Sequence, residues 1–231
     1  MPYLYETHCH TNISSACSTM SPEDIVDLYL KNGYTGIFIT DHFLNGNCTP
    51  RCRDNALTYA EKIDAFMEGY RAVKKAAEGK LDVFFGLESS YHGSDFLLYG
   101  WGEEELKKFD YESLGMHMRG FIRTARESGA LTVQAHPFRE APFIDHIRLF
   151  LEVEGVETFN GCRTNFENRM AQIYAREYGK LCIGGSDIHS VNQPLLSGIR
   201  TERRIEGVED FISIVREGKY QIIEKENEIL R

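Results

Sequence analysis

The sequence predicts an α/β fold closed into a barrel of seven strand–helix units. Three observations predict it. Seven short apolar runs recur along 231 residues. Helical segments separate most of them, which implies parallel strands joined by right-handed crossovers. Five of the runs are followed within two residues by His, Asp or Glu. Five strand ends converge on one point only in a closed ring, whereas an open sheet gathers its binding groups at one crevice.

The runs are Tyr3–Glu6, Gly36–Thr40, Asp82–Leu87, Phe96–Gly100, Leu131–Ala135, Gly155–Phe159 and Leu181–Gly185. Each is rich in apolar, β-branched or aromatic residues, as a strand buried on both faces must be. The first helix opens at Ser21-Pro22-Glu23-Asp24, with Ser as cap, Pro at the first position and acids in the first turn, and Gly33 ends it. Leu57–Glu78 is a long helix closed by Gly79, Gly120–Ser128 one closed by Gly129, and Phe166–Tyr178 one closed by Gly179. Val208–Arg216 ends at Gly218, and Ile144–Leu151 reads as helical with His146 exposed. No internal repeat, low-complexity tract or linker divides residues 1–231, so the chain reads as one domain.

Composition excludes several classes. No apolar run approaches the ~18 residues a membrane helix needs. Met1–Glu6 has no basic region and runs straight into a strand, so it is not a signal peptide. Six cysteines without a leader read as reduced thiols of a cytoplasmic protein, including Cys48 and Cys52 in one loop. A net charge of −9 argues against a surface that tracks extended nucleic acid. It leaves room for a small phosphorylated substrate, because bound divalent cations invert the local charge. Oligomeric state is not legible.

The strand ends carry the chemistry. His8 and His10 lie two apart, so both imidazoles face one side and Cys9 the other. Asp187 and His189 repeat that spacing at the seventh run. Asp41-His42, Glu88 and His136-Pro137 occupy equivalent ends. Buried imidazoles and carboxylates need a cation or one another, and borderline divalent metals take this donor set. His92 and His117 read as surface residues.

In order, His8-x-His10-Thr11, Thr40-Asp41-His42, Gly86-Leu87-Glu88, Ala135-His136-Pro137-Phe138-Arg139, Glu157-x-x-Asn160-Gly161 and Gly185-Ser186-Asp187-x-His189 resemble the PHP (polymerase and histidinol phosphatase) superfamily. The resemblance spans roughly residues 3–200. It implies a distorted, TIM-barrel-like (β/α)7 barrel holding two or three zinc, iron or manganese ions at the C-terminal strand ends. It also implies phosphoester hydrolysis. His8, His10, Glu88 and Asp187 correspond to ligands of a first metal. By the resemblance Glu88 would bridge to a second that also uses His136, and His42 and His189 correspond to ligands of a third. Two positions depart. Ser14–Ser18 stands where many members carry His or Asp, with Cys17 as a soft substitute or inert packing. A further member histidine near strand four has only His117 as candidate.

The expected activity is hydrolysis of a small phosphomonoester, histidinol phosphate or a nucleotide, by a hydroxide bridging two metals. Asp187 would orient that hydroxide or take its proton, and His189 would protonate the leaving group. Arg139 and Arg163 would grip phosphate oxygens, the plain alternative for each being a surface salt bridge. Two long segments, Phe43–Ala56 and Trp101–Met118, would set specificity. The competing readings are a nuclease or phosphodiesterase of the same superfamily, and a non-catalytic metal-binding regulator. An amidohydrolase barrel also begins with His-x-His, but Phe96–Gly100 ends without its metal-bridging lysine.

Overall fold

The computed structural model describes residues 2–109 and 117–230. Nine strands form one sheet among them, in the order β7-β6-β5-β4-β3-β2-β1-β8-β9. The strands are β1 (Tyr3–Cys9), β2 (Gly36–Ile39), β3 (Asp82–Tyr91), β4 (Ser94–Tyr99), β5 (Leu131–Ala135), β6 (Gly155–Asn160), β7 (Leu181–Gly185), β8 (Leu195–Thr201) and β9 (Tyr220–Glu226). The helices are α1 (Pro22–Lys31), α2 (Tyr59–Ala77), α3 (Glu103–Lys108), α4 (Met118–Glu127), α5 (Asn165–Glu177) and α6 (Val208–Arg216). Apart from Ile144–Leu151, the sequence-predicted strands and helices reappear within a few residues, α6 with the same bounds.

The sheet nearly closes. Cys9 bridges Ile188 in parallel, joining the end of β1 to the residues after β7. Two backbone bonds make the join, His10 N–H to Ile188 O at 3.3 Å and Ile188 N–H to His8 O at 3.4 Å. Farther from this rim β8 enters beside β1 and runs antiparallel to it. At Gly198 β8 comes so close that an added Cβ would overlap Tyr5 O, and φ there is +135°. Only glycine fits that crossing. Tyr5, Phe38, Leu97, Tyr99, Val133 and Ile183 fill the barrel, and Phe211 of α6 packs into them with its ring 4.3 Å from that of Phe38.

Three expectations fail. The sheet is not wholly parallel, because β4 runs antiparallel to both β3 and β5. His92-Gly93, both at positive φ, form the two-residue turn that joins β3 to β4. Strand β3 therefore continues to Tyr91, past Leu87. The antiparallel pair β8–β9 was not foreseen. Ile144–Leu151 is irregular, not helical: the Gln134 amide donates to Arg148 O at 2.6 Å and accepts from Phe150 N–H at 3.0 Å, satisfying the backbone that a helix would have satisfied. His146 is exposed, as expected.

Local readings hold elsewhere. Ser21 and Asp24 form a reciprocal cap on α1, and Thr58 with Glu61 does the same for α2. All six cysteines are free. No helix of the described residues is long and apolar enough to cross a membrane.

Gly198→Ala should lose ~3 kcal/mol or more of stability, since an unfavourable φ and a backbone overlap act together. Denaturant unfolding measures it, and a loss below ~1 kcal/mol would show that β8 can move off β1.

Candidate metal centre

A bulge in β1 aims its end. The β1–β2 register slips between Glu6 and Cys9. Tyr5 faces the barrel interior, and Cys9 packs outward with Ile25, Leu28 and Val73. Regular alternation would put both on one side. The extra residue resets it, so that Tyr5 and the two imidazoles His8 and His10 all face in. Glu6 turns towards α1, where its Oε2 accepts from Tyr29 Oη at 2.7 Å.

Glu88, on β3, lies at the middle of the cluster, fully buried. Its Oε1 stands 3.4 Å from His8 Nε2 and 3.2 Å from His136 Nε2. Its Oε2 stands 3.4 Å from His10 Nε2 and 2.8 Å from His42 Nδ1. Asp187 Oδ1 faces the same pair from the other side, 3.5 Å from His8 Nε2 and 3.3 Å from His10 Nε2. His136 and Asp187 reach in from positive φ, 26° and 55°. Non-glycine residues hold such angles only where the surroundings over-determine them, commonly at functional sites. The structure thus brings all seven expected ligands together, His189 among them with its ring 4.5 Å from that of His10.

The donor atoms fit a cation. His8 Nε2, His10 Nε2, His42 Nδ1 and Glu88 Oε2 are buried without a hydrogen bond. Leaving so many lone pairs unsatisfied costs several kcal/mol unless an ion fills the space between them. Two ligands on one ion at ~2.1 Å stand ~3.4 Å apart in a tetrahedron. The four distances that link His8 and His10 to Glu88 and Asp187 lie at 3.3–3.5 Å. Three-donor groups also form at His10–His42–His189 and at Glu88–Asp95–His136.

The opposite ring nitrogens are held. His8 Nδ1 is 2.8 Å from Glu157 Oε1, His10 Nδ1 3.2 Å from Ser15 Oγ, and His189 Nδ1 2.8 Å from Asp187 O. Each contact leaves Nε2 facing the centre. Ser15 donates in turn to Asp41 Oδ1 at 2.7 Å, so Asp41 braces the loop and does not face the cluster. Glu157 also accepts from His136 N–H and from Asn160.

Two residues went unassigned in the sequence. Glu157 sat in a quoted motif without a role. Asp95 opens β4, 2.8 Å from Arg139 Nη2 and 3.9 Å from His136 Nε2. It escaped because β4 is antiparallel: its start, not its end, lies at this rim. His117, the candidate for the further histidine, instead occupies the N-cap position of α4 and lines a separate cavity with Tyr91 and Arg148.

A cavity of about 730 Å³ opens over the cluster. Arg53, Arg139, Arg163, His92 and Phe143 line its mouth. Arg139 is not a surface residue; it lies under the Phe143 ring, paired with Asp95. Arg163 presents a buried Nε without a hydrogen bond. Asn45, Asn47 and Arg53 bring the Phe43–Ala56 segment to the cavity, as expected. No described residue of Trp101–Met118 lines it; the rest of that segment, 110–116, lies outside the described residues.

Without ions, protons take their place. Burial opposes charge on His42, but Glu88 raises it to about 10. Burial likewise opposes His189, while Cys162, Cys17 and Asp187 raise it to about 11. Against its own burial, His8 is held well above its ordinary range by Glu157, Asp187 and Glu88. Each of these shifts favours the protonated imidazole, whereas a metal binds only the neutral form. Loading should therefore release protons, and apparent affinity should rise with pH and fall in acid. Adding Zn²⁺ in weak buffer with a pH indicator should show at least one proton released per chain, and no acidification would mean the imidazoles are already neutral.

Comparison with known proteins follows the same lines. The sequence model of the PHP domain matches residues 6–139, more than half of the chain, and that of a PHP-associated region matches residues 165–220. The first stretch carries His8 to Arg139 and the second carries Asp187 and His189. No curated protein matches. Among solved structures, a two-domain Bacteroides vulgatus protein containing a predicted PHP-like metal-dependent phosphoesterase aligns at TM-score 0.65 and 16% identity, over 96% of this chain and 65% of its own. PsfC of Pseudomonas syringae aligns at 0.64 and 14%, over 97% and 91%. A Chromobacterium violaceum amidohydrolase, solved with sulfate and no metal, aligns at 0.53 and 14%, over 80% and 87%. At such identities these likenesses speak for the fold alone, and it is the match over residues 6–139 that shows the chain to belong to the PHP domain family.

Proposed function

We propose that the protein is a metal-dependent phosphoesterase acting on a small phosphomonoester of the histidinol phosphate or nucleotide kind. One observation carries this reading: unpaired, mutually facing donor atoms of His8, His10, His42 and Glu88 lie beneath a cavity with three arginines at its mouth. The Bacteroides vulgatus neighbour, which contains a predicted phosphoesterase, supports it.

Two or three divalent ions held by His8, His10, His42, Glu88, His136, Asp187 and His189 would supply Lewis acidity and an activated water, zinc, iron and manganese all suiting these donors. Glu88 keeps the two ends in register, one oxygen towards each. Asp187 turns Oδ1 to His8 and His10 and Oδ2 to Asn160 at 3.3 Å, so it is fixed to orient the attacking water. His189 is tethered at Nδ1 and presents Nε2 at the cavity, where that nitrogen would serve either as a ligand or, when free of an ion, as donor of a proton to the leaving oxygen. Arg139 and Arg163 meet the remaining phosphate oxygens through planar forks.

Metal-loaded protein should release phosphate from a generic aryl phosphomonoester. Glu88→Gln should cut the rate on the order of 10²-fold or more, several kcal/mol of charge stabilisation being lost. Turnover of aryl diesters alone would make it a phosphodiesterase, and no turnover of either would leave a metal-binding protein.

Arg139→Ala should lower kcat/KM by roughly 30- to 1,000-fold with metal content unchanged. Lysine should rescue only partly, because it lacks the fork. An unchanged kcat/KM in steady-state assays would make Arg139 merely the counter-ion of Asp95.

A further inference from the structure

The centre has two chemically unlike ends. At one, Glu88, Asp95 and His136 gather two carboxylates and one imidazole. At the other, His10, His42 and His189 gather imidazoles alone. Cys17 stands at this second end. Its Sγ is 3.1 Å from His189 Nε2, and it lines the same cavity. Sulfur and nitrogen on one ion, with bonds of ~2.3 and ~2.1 Å, stand ~3.1–3.6 Å apart.

The thiol is placed, not loose. Ala16 N–H donates to Asn47 O at 2.9 Å and Thr19 N–H to His189 O at 2.9 Å, so the backbone is tied on both sides of Cys17. Ser18 Oγ donates to His10 O at 2.9 Å, which ties the same loop to the end of β1. Independently of the cysteine, His42, a member of this three-imidazole group, is buried and its Nδ1 has no hydrogen bond. Cys162 is a poorer candidate. Its thiol already donates to Gln193 Oε1 at 2.9 Å and Asp187 O at 3.2 Å.

We propose that Cys17 is a metal ligand, forming with His42 and His189 a thiolate site for a soft ion such as Zn²⁺. The Glu88–Asp95–His136 end then suits a harder ion, so the centre sorts two metals by donor softness. The proposal rests on the metal centre described above. As the sulfur–metal bond forms, the S–H proton leaves to solvent.

Cobalt substitution tests it. Metal-free protein loaded with Co²⁺ should show visible bands and a near-ultraviolet thiolate-to-cobalt charge-transfer band. Cys17→Ser should abolish the charge-transfer band and keep visible bands from the remaining sites. Cys162→Ser should keep both. Cys17→His should restore the ion count without the charge-transfer band. Cys17 is the exposed cysteine, so alkylation reads it directly. Saturating Zn²⁺ should slow that reaction ~10-fold or more, because only the ion-free fraction reacts. Visible bands with no charge-transfer band, or a charge-transfer band surviving Cys17→Ser, would overturn the thiolate ligand and leave the centre standing. Absence of any cobalt bands would overturn the centre itself.

Discussion

The buried carboxylate of Glu88 is the constraint on which the rest of the site depends. It is fully enclosed, and its two oxygens face four imidazoles from β1, β2 and β5. A charge in such a place is costly unless it is compensated from several directions. The barrel supplies those directions by bringing strand ends round in a ring. Compensation is mutual: burial works against ionisation of Glu88, yet His42 and His8 hold its carboxyl well below the usual range. Asp187 repeats the pattern, with His8 and His10 overcoming its burial. The fold therefore stores an arrangement that protons stabilise in part and that divalent ions match better.

That arrangement explains which features the sequence revealed. Candidate ligands at the ends of parallel strands fall within a few residues of an apolar run, so His8, His10, His42, Glu88, His136, Asp187 and His189 were legible by position. Asp95 was not. The turn at His92-Gly93 reverses the chain, and the strand then approaches the rim at its beginning. A rule that inspects strand ends cannot find a group at a strand start. His92 itself, set aside as a surface residue, reaches the cavity because of the same turn. Gly93 was the available signal: a residue pair such as His-Gly between two apolar runs can mark a hairpin. Strands β8 and β9 were hidden differently. Strand β9 is half exposed along its length, so it lacks the continuous apolar run that a central strand shows.

The reversal also weakens one argument against an amidohydrolase. The missing lysine after Phe96–Gly100 is uninformative, since the end of β4 points away from the centre. What separates the readings in this molecule is Asp187 with His189. Both lie at the rim, and the peptide oxygen of the first fixes the ring of the second. The sequence match over residues 6–139 points the same way without using those two residues.

The geometry of the His/Glu/Asp cluster depends on backbone strain at two points. His136 and Asp187 both sit at positive φ, immediately after β5 and β7. Neighbours hold each in place. Glu157 accepts from His136 N–H at 3.0 Å, and Asn160 reaches both Glu157 and Asp187. Strand β6 gives no direct ligand, yet it braces the ligands on either side. This makes sense of Glu157 and Asn160 three residues apart. The bulge between them lets both side chains turn to the same rim, where regular alternation would send them to opposite faces. A strand can therefore be essential to the centre without facing it, and its signature is a buried acid and amide flanking a bulge.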